Sequence, residues 1–237
     1  MHTTVGSDFE ASAHWFPVAV SGDIRQGEIT QAFLDGQELA LWRSADGTVH
    51  AWENRCPHRG TRFTLGRIID DTLSCAYHGW RFEASGQCTL IPANPTLTPP
   101  RNACAKVFGT HEAGGFVWAT LGTAPWSPAV PAAAATATAH CRAFVVEAAA
   151  QTVRERLLEH PAYGYRGIGA SVVGATDADG HATLAYLTPM SPERTLVHLV
   201  LSGPGAAAPG VAERLRAARS FKPRRAYVEA AGLENRP

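Results

Sequence analysis

Short apolar and β-branched runs recur through the first half of the chain: FPVAV (16–20), ELALW (38–42), TVHAW (48–52), TLSCA (72–76), CTLIP (88–92), AKVFG (105–109) and FVWATL (116–121). Each is bounded by Gly, Asp, Asn or Pro, and none is long enough for a helix, so the pattern predicts antiparallel strands joined by loops. A β domain is therefore expected over residues 1–125. The following stretch, 126–140, is rich in Pro, Ala and Thr with no periodic apolar face, and it reads as a linker. Beyond it, over 141–237, RAFVVEAAA predicts a strand, and VRERLLEH a short helix with Val153, Leu157 and Leu158 on one face. Three strands are expected next, broken by the turns DADG (177–180) and MSPE (190–193), and GVAERLRAARS (210–220) predicts a closing helix. The chain as a whole is expected to be mainly β, α+β overall, its second part in the order β-α-β-β-β-α.

Two loops between the strands carry the chemistry. Cys56-Pro57-His58 and Cys75-Ala76-Tyr77-His78 each supply one thiolate and one imidazole. Two Cys and two His divided in this way match the ligand set of a Rieske [2Fe-2S] centre, with two Cys on one iron and two His on the other. Four ligands of one zinc ion are the alternative, although Cys-X-His is a poor zinc half-site. Gly60 and Gly79 follow the two histidines closely, where a loop wrapped round a cluster needs backbone without a Cβ.

Residues 15 to about 120 resemble the Rieske domain of the ring-hydroxylating and related Rieske non-haem iron oxygenases. The resemblance lies in HWFPVAVSGDI, ELALWRSADGTVHAWENRCPHRG, CAYHGW and FEASGQCTLIP. Rieske proteins of respiratory bc complexes carry an extra Cys in each loop; Gly60 or Thr61 and Ala76 or Tyr77 stand there instead, so the likeness is to the oxygenase type. It implies a cluster held by Cys56, His58, Cys75 and His78, with the outward nitrogens of the two histidines facing an electron acceptor. It also implies a ferredoxin or flavin reductase as electron donor.

In the second part, YLTPMSPERTLVHLVLS (186–202) resembles the helix-grip catalytic domain of the same oxygenases in a truncated form. In that family two His and one carboxylate hold a mononuclear Fe(II) with open positions. VRERLLEHPAYGYRGIGAS keeps the frame of the ligand segment, with Glu159 at the bridging carboxylate. Ala162 and Tyr165 fall at the two His positions; if His160 is taken as the first ligand, no second His follows at a workable spacing. Arg225 falls near the third ligand, and a guanidinium cannot ligate a metal. No mononuclear Fe(II) is expected, and Glu159 and His160 are at most relics of a catalytic site.

Composition adds constraints. Twenty-one basic residues balance twenty-one acidic ones, which gives no reason to expect nucleic acid or an anionic membrane as partner. No apolar run approaches the roughly 20 residues of a membrane span, and the N-terminal residues lack signal-peptide features, so a cytoplasmic location is expected. Of the five Cys, Cys88, Cys104 and Cys141 are left over and read as buried free thiols. His111-Glu112 has no partner His for a zincin, and GIGASVVG lacks dinucleotide-fingerprint spacing. Asp177 and Asp179 are explained by their turn. His181 and His198 are placed on facing strands, where solvent-facing polar positions account for them. Tyr77 and Trp80 are expected to cover the cluster, and Glu155 and Glu159 suit a solvated helix face.

Three functions fit this sequence. The first is a Rieske electron-transfer component that passes single electrons to the iron site of a partner oxygenase, with an α-type oxygenase subunit or a homo-oligomer as the expected assembly. The second is a complete small oxygenase with an atypical iron site built from His160, His181, His198 and a carboxylate. The third is a non-catalytic assembly module.

Overall fold

The structure is a computed structural model that describes residues 9–127, 138–178, 180–202 and 210–234. It divides into two units, residues 17–124 and residues 125–237 together with the first 16. Most of the linker expected at 126–140, and Asp179, lie outside the described residues.

The first unit consists of two antiparallel sheets. The larger has six strands in the order β1-β10-β9-β4-β3-β2, formed by β1 (Phe16–Val20), β2 (Ile29–Leu34), β3 (Gln37–Arg43), β4 (Val49–Glu53), β9 (Val107–Ala113) and β10 (Phe116–Thr120). The smaller has four, β5 (Arg67–Ile69), β6 (Thr72–Ser74), β7 (Arg81–Phe82) and β8 (Cys88–Leu90), paired in chain order. The expected strands are present, and β2, β5 and β7 are additional to them. β2 mixes polar residues into ITQAFL and is defined by its pairing with β3 across the Asp35-Gly36 turn, with Leu34 opposite Gln37. β5 and β7 have only three and two residues, too short to show a period.

An aromatic core connects this framework to the two Cys-His loops. Trp52 packs edge-on against Trp42 (5.3 Å between ring centroids) and Phe63 (5.5 Å), and Phe63 against Phe82 (5.3 Å). All four rings are fully buried, and the same cluster contains Cys56 and Cys75. Burying each such side chain contributes about 1.5–3 kcal/mol, so the loops stand on the most stable part of the unit. Arg43 closes the other end. Its guanidinium donates through both Nη atoms to the Glu112 carboxylate (2.8 Å each), and its Nε donates to the Ile24 carbonyl (2.9 Å).

The second unit is one five-stranded antiparallel sheet, β11-β15-β14-β13-β12, with two helices. Its elements are β11 (Thr138–Val146), α1 (Ala150–Glu159), β12 (Arg166–Gly169), β13 (Val172–Thr176), β14 (Ala182–Ser191), β15 (Arg194–Ser202) and α2 (Val211–Glu234). Four strands, not the expected three, lie between the helices, because GIGASVVGAT is a hairpin. Gly169 pairs with Val172 across a turn at Ala170-Ser171, where Ser171 is the single usual turn residue and gives only a weak signal. The closing helix is also longer than expected. It runs through Pro223 to Glu234, held by burial of Phe221 and Val228, and Phe221 packs on Phe144 of β11 (5.2 Å). Residues 9–16, assigned to the first domain from sequence, group with this unit. Trp15 sits edge-on to Trp126 (5.0 Å), and its indole N–H donates to the Pro125 carbonyl (3.1 Å).

No helix among the described residues is long and apolar enough to cross a membrane. The five thiols are free; Cys88 is buried and Cys141 half-buried, but Cys104 is exposed, contrary to the sequence reading. The extended segment there buries Ala103 and Ala105 and so turns the residue between them outward.

Candidate metal centre

Each Cys-His loop leaves a strand end and closes on itself with the same two bonds. In the first, the Cys56 N–H donates to the Thr61 carbonyl (2.8 Å) and the Gly60 N–H to the Cys56 carbonyl (2.8 Å). In the second, the Cys75 N–H donates to the Trp80 carbonyl (2.9 Å) and the Gly79 N–H to the Cys75 carbonyl (3.1 Å). The offsets are identical although the sequences differ in length before the histidine. Both closures require a left-handed residue, supplied by Gly60 (φ +74°) and Gly79 (φ +68°).

This geometry sorts the four side chains. Cys56 and Cys75 are buried, at 3% and 4% exposure, and each thiol lies within electrostatic reach of the other. His58 is half-buried and His78 exposed, with ring centroids 4.8 Å apart. Burial pushes the Cys56 thiol up to about 12; backbone N–H groups of His58 and Arg59 oppose the rise and the neighbouring Cys75 adds to it. A pair of adjacent buried thiols with amide donors on one sulfur suits a cationic metal that displaces both protons. Among the described residues, no three of His, Cys, Asp and Glu converge on a single ion, as a structural zinc would need. The four side chains instead form an inner sulfur pair and an outer imidazole pair, which fits a two-iron group with one pair on each metal.

The surroundings hold the imidazoles. Trp80 stacks flat on His58 (4.2 Å, 7° between planes), and Tyr77 packs against His78 (3.8 Å). Trp80, expected to cover the cluster, is half-buried between His58 and the aromatic core, whereas Tyr77, expected to do the same, is 65% exposed. Sequence reasoning missed Asn54. It is 2% exposed, donates from Nδ2 to Thr64 Oγ1 (2.9 Å) and accepts the Thr64 N–H (2.9 Å), so it clamps the far end of the first loop. A buried polar residue directly at a strand end was the available signal. Pro92, behind Gly79, was also missed; it lies 3.2 Å from where a Cβ on that glycine would be.

In the second unit the expected relic residues go separate ways. Glu159, at the end of α1, is exposed and faces Arg156 (3.7 Å). His160 stacks on Tyr163 (3.9 Å) and meets Tyr227 edge-on (4.8 Å). Tyr165 is buried, and Ala162 is exposed. Arg225 turns away to pair with Glu229 (2.9 Å). The cation in this cluster is its neighbour Arg224, whose guanidinium lies over the rings of Tyr163 (5.1 Å) and Tyr165 (5.4 Å). His181 and His198 do not face each other. His198 is opposite Tyr186, buried beside His140 (3.4 Å), while His181 lies between Asp177 and Glu213 (3.5 Å each). The three histidines of the atypical iron site therefore occupy three different settings.

Residues 14–104 match the family model described as the Rieske [2Fe-2S] domain. The chain is 47% identical over 115 residues to the oxidoreductase NdmD of Pseudomonas putida, across 48% of this chain and 20% of that protein. It is 35% identical over 115 residues to the oxygenase subunit of phthalate 4,5-dioxygenase from Pseudomonas putida, across 46% of this chain and 26% of that subunit. These alignments span only about a quarter or less of the curated relatives' length. The fold as a whole is similar to that of dicamba monooxygenase in its apo form, with a TM-score of 0.75 at 17% identity over 96% of this chain and 88% of that one. NdmA of Pseudomonas putida CBB5 is comparable, with a TM-score of 0.76 at 17% identity over 96% and 83% of the two chains.

Proposed function

We propose that this chain, which belongs to the Rieske oxygenase family by its [2Fe-2S] domain and its fold, is an electron-transfer component of a Rieske-type oxygenase system. It works between a ferredoxin or flavin reductase and an iron site on a partner oxygenase. Cys56 and Cys75 hold the cluster from the buried side, and His58 and His78 hold it at the surface. When bound, the cluster supplies one-electron chemistry at a potential above that of a plant-type ferredoxin, since two imidazoles replace two thiolates.

The observation that carries this reading over a self-sufficient oxygenase is Arg224. Its guanidinium, permanently charged, is packed over Tyr163 and Tyr165, and Tyr165 stands where the family resemblance would put one of the two His ligands. A fixed cation there opposes binding of a second one, and the phenol beside it is no substitute for imidazole. Metal and sulfide analysis of anaerobically purified protein tests the reading. About two irons and two sulfides per chain are expected. A third iron, together with substrate oxidation by this chain without an oxygenase partner, would overturn it.

A further inference from the structure

The balanced charge of the chain conceals a local excess. Between residues 214 and 225 of α2 there are six basic side chains and no acidic one. Three of the six are engaged within their own unit. Arg225 pairs with Glu229 (2.9 Å), Arg224 donates to the Ser220 carbonyl (3.1 Å) and lies over Tyr163 and Tyr165, and half-buried Arg214 is within electrostatic reach of the Cys141 thiol. The other three, Arg216, Arg219 and Lys222, are exposed, and among the described residues none of them has an ion-pair partner.

Two large apolar residues share this outer surface. Val211 is 63% exposed and Leu215 51%. At about 100° per residue, Val211, Leu215, Arg219 and Lys222 fall within about 80° of one another, on a side turned away from buried Phe221 and Val228. Their spacing follows the helical period, so the four side chains form a single stripe along which a second helix can lie. The stripe extends about 17 Å, or three turns. Its N-terminal half is apolar and its C-terminal half cationic. Like charges one turn apart repel along a helix, and a row of them without counter-charge is a cost that carboxylates of a partner offset.

We propose that this stripe of α2 is a docking site for an acidic amphipathic helix of a partner protein, with apolar side chains of the partner against Val211 and Leu215 and its carboxylates facing Arg219 and Lys222. Charge complementarity selects the carboxylates, and exposed apolar residues bordered by charge mark contact surfaces between proteins. The narrow arc suits a rod of helical width better than a flat surface. An anionic membrane draws on net positive charge and on cations spread over a broad face, and the chain as a whole has no net charge. The proposal goes beyond electron transfer and does not depend on it, since the cluster ligands belong to the other unit.

Fluorescence anisotropy with the full, cluster-loaded chain tests it. The probe is a labelled, Ala-rich helical peptide of about five turns, carrying two Leu and two Glu in the spacing of Val211, Leu215, Arg219 and Lys222; a control peptide has Gln in place of both Glu. The Glu peptide should bind saturably below millimolar concentration and about tenfold or more tightly than the Gln peptide, an advantage that shrinks in about 0.5 M salt. Arg219→Gln combined with Lys222→Gln should reduce the Glu peptide to the affinity of the Gln peptide and leave the melting temperature unchanged, because neither side chain is buried or paired. Leu215→Ser should weaken both peptides alike, about fivefold. Absence of saturable binding, equal affinity for the two peptides, or undiminished affinity in the folded double variant would each overturn the assignment. So would binding to vesicles of phosphatidylcholine and phosphatidylserine that exceeds peptide binding and is lost in the double variant, which would make the occupant a membrane.

Discussion

The two loops make the same turn against different backgrounds, and replacing each glycine by alanine separates the shared cost from the local one. Gly60 and Gly79 are both left-handed, at φ +74° and +68°, so either substitution costs about 1–2 kcal/mol in backbone strain. What a new methyl would meet differs. At residue 60 the nearest atom is Arg55 Nε at 3.2 Å, on an exposed side chain that can swing aside. At residue 79 it is Pro92 Cγ at 3.2 Å, a ring that cannot rotate away and is anchored next to buried Ile91. Carbon atoms prefer about 3.5–4.0 Å, and forcing a fixed neighbour back by a few tenths of an ångström costs about another 1 kcal/mol. Gly60→Ala should therefore lose about 1–2 kcal/mol and Gly79→Ala about 2–3 kcal/mol. Urea unfolding followed by tryptophan fluorescence measures the difference, and iron content after gel filtration should rank the variants in the same order, since folding and ligand binding share one free energy. A Gly60→Ala protein as unstable as Gly79→Ala would refute the role given to Pro92.

Three further outcomes follow from the same geometry. Asn54→Ala removes both partners of the half-buried Thr64 N–H and hydroxyl and should cost about 1–2 kcal/mol, visible as a lower urea midpoint and faster iron loss to a chelator. Cys75→Ser should leave the chain without its visible iron-sulfur absorption and destabilise the first unit far more than the second, which limited proteolysis can resolve; a normal spectrum would show the ligand assignment to be wrong. The hydrogen bonds from Arg43 hold the Glu112 carboxyl below its ordinary range. Their contribution is thus full above the unfolded carboxylate pKa of about 4.3 and is lost as pH falls through the lower folded value. With Glu112 a third exposed, the pair contributes about 1 kcal/mol; Glu112→Gln should lower stability at pH 7 by that amount and converge with wild type in acid, and a gap that persists at pH 2 would contradict the ion pair.

The first unit was readable from the sequence because its decisive features are local. A strand that alternates apolar and polar residues declares itself within five residues, and the cluster loops are each six residues long with cysteine, histidine and glycine in fixed order. Elements that exist only through pairing were not readable: β5 and β7 have no pattern of their own and are strands because β6 lies between them. Asn54 escaped for a related reason. Its importance lies in Thr64, ten residues further on, and no periodicity links a clamp to what it holds.

The second unit shows how a one-residue difference in helical phase changes chemistry. Reading along the sequence placed Arg225 near the lost ligand position, because the run FKPRRAYVEAAG was matched to the family pattern while the helix was expected to end by residue 220. The helix in fact continues through Pro223, and successive residues on it point about 100° apart. Arg225 is thereby carried round to Glu229, four residues on, while Arg224 faces Tyr163 and Tyr165. The guanidinium over the two tyrosines is therefore that of Arg224 and not that of Arg225. An Arg225 ion pair on the outside of a helix is a partly solvated detail, whereas Arg224 places its guanidinium over two aromatic rings, one of them buried. A permanently charged group held there opposes capture of a metal ion by the same cluster, so restoring single ligand residues around it would leave that opposition in place.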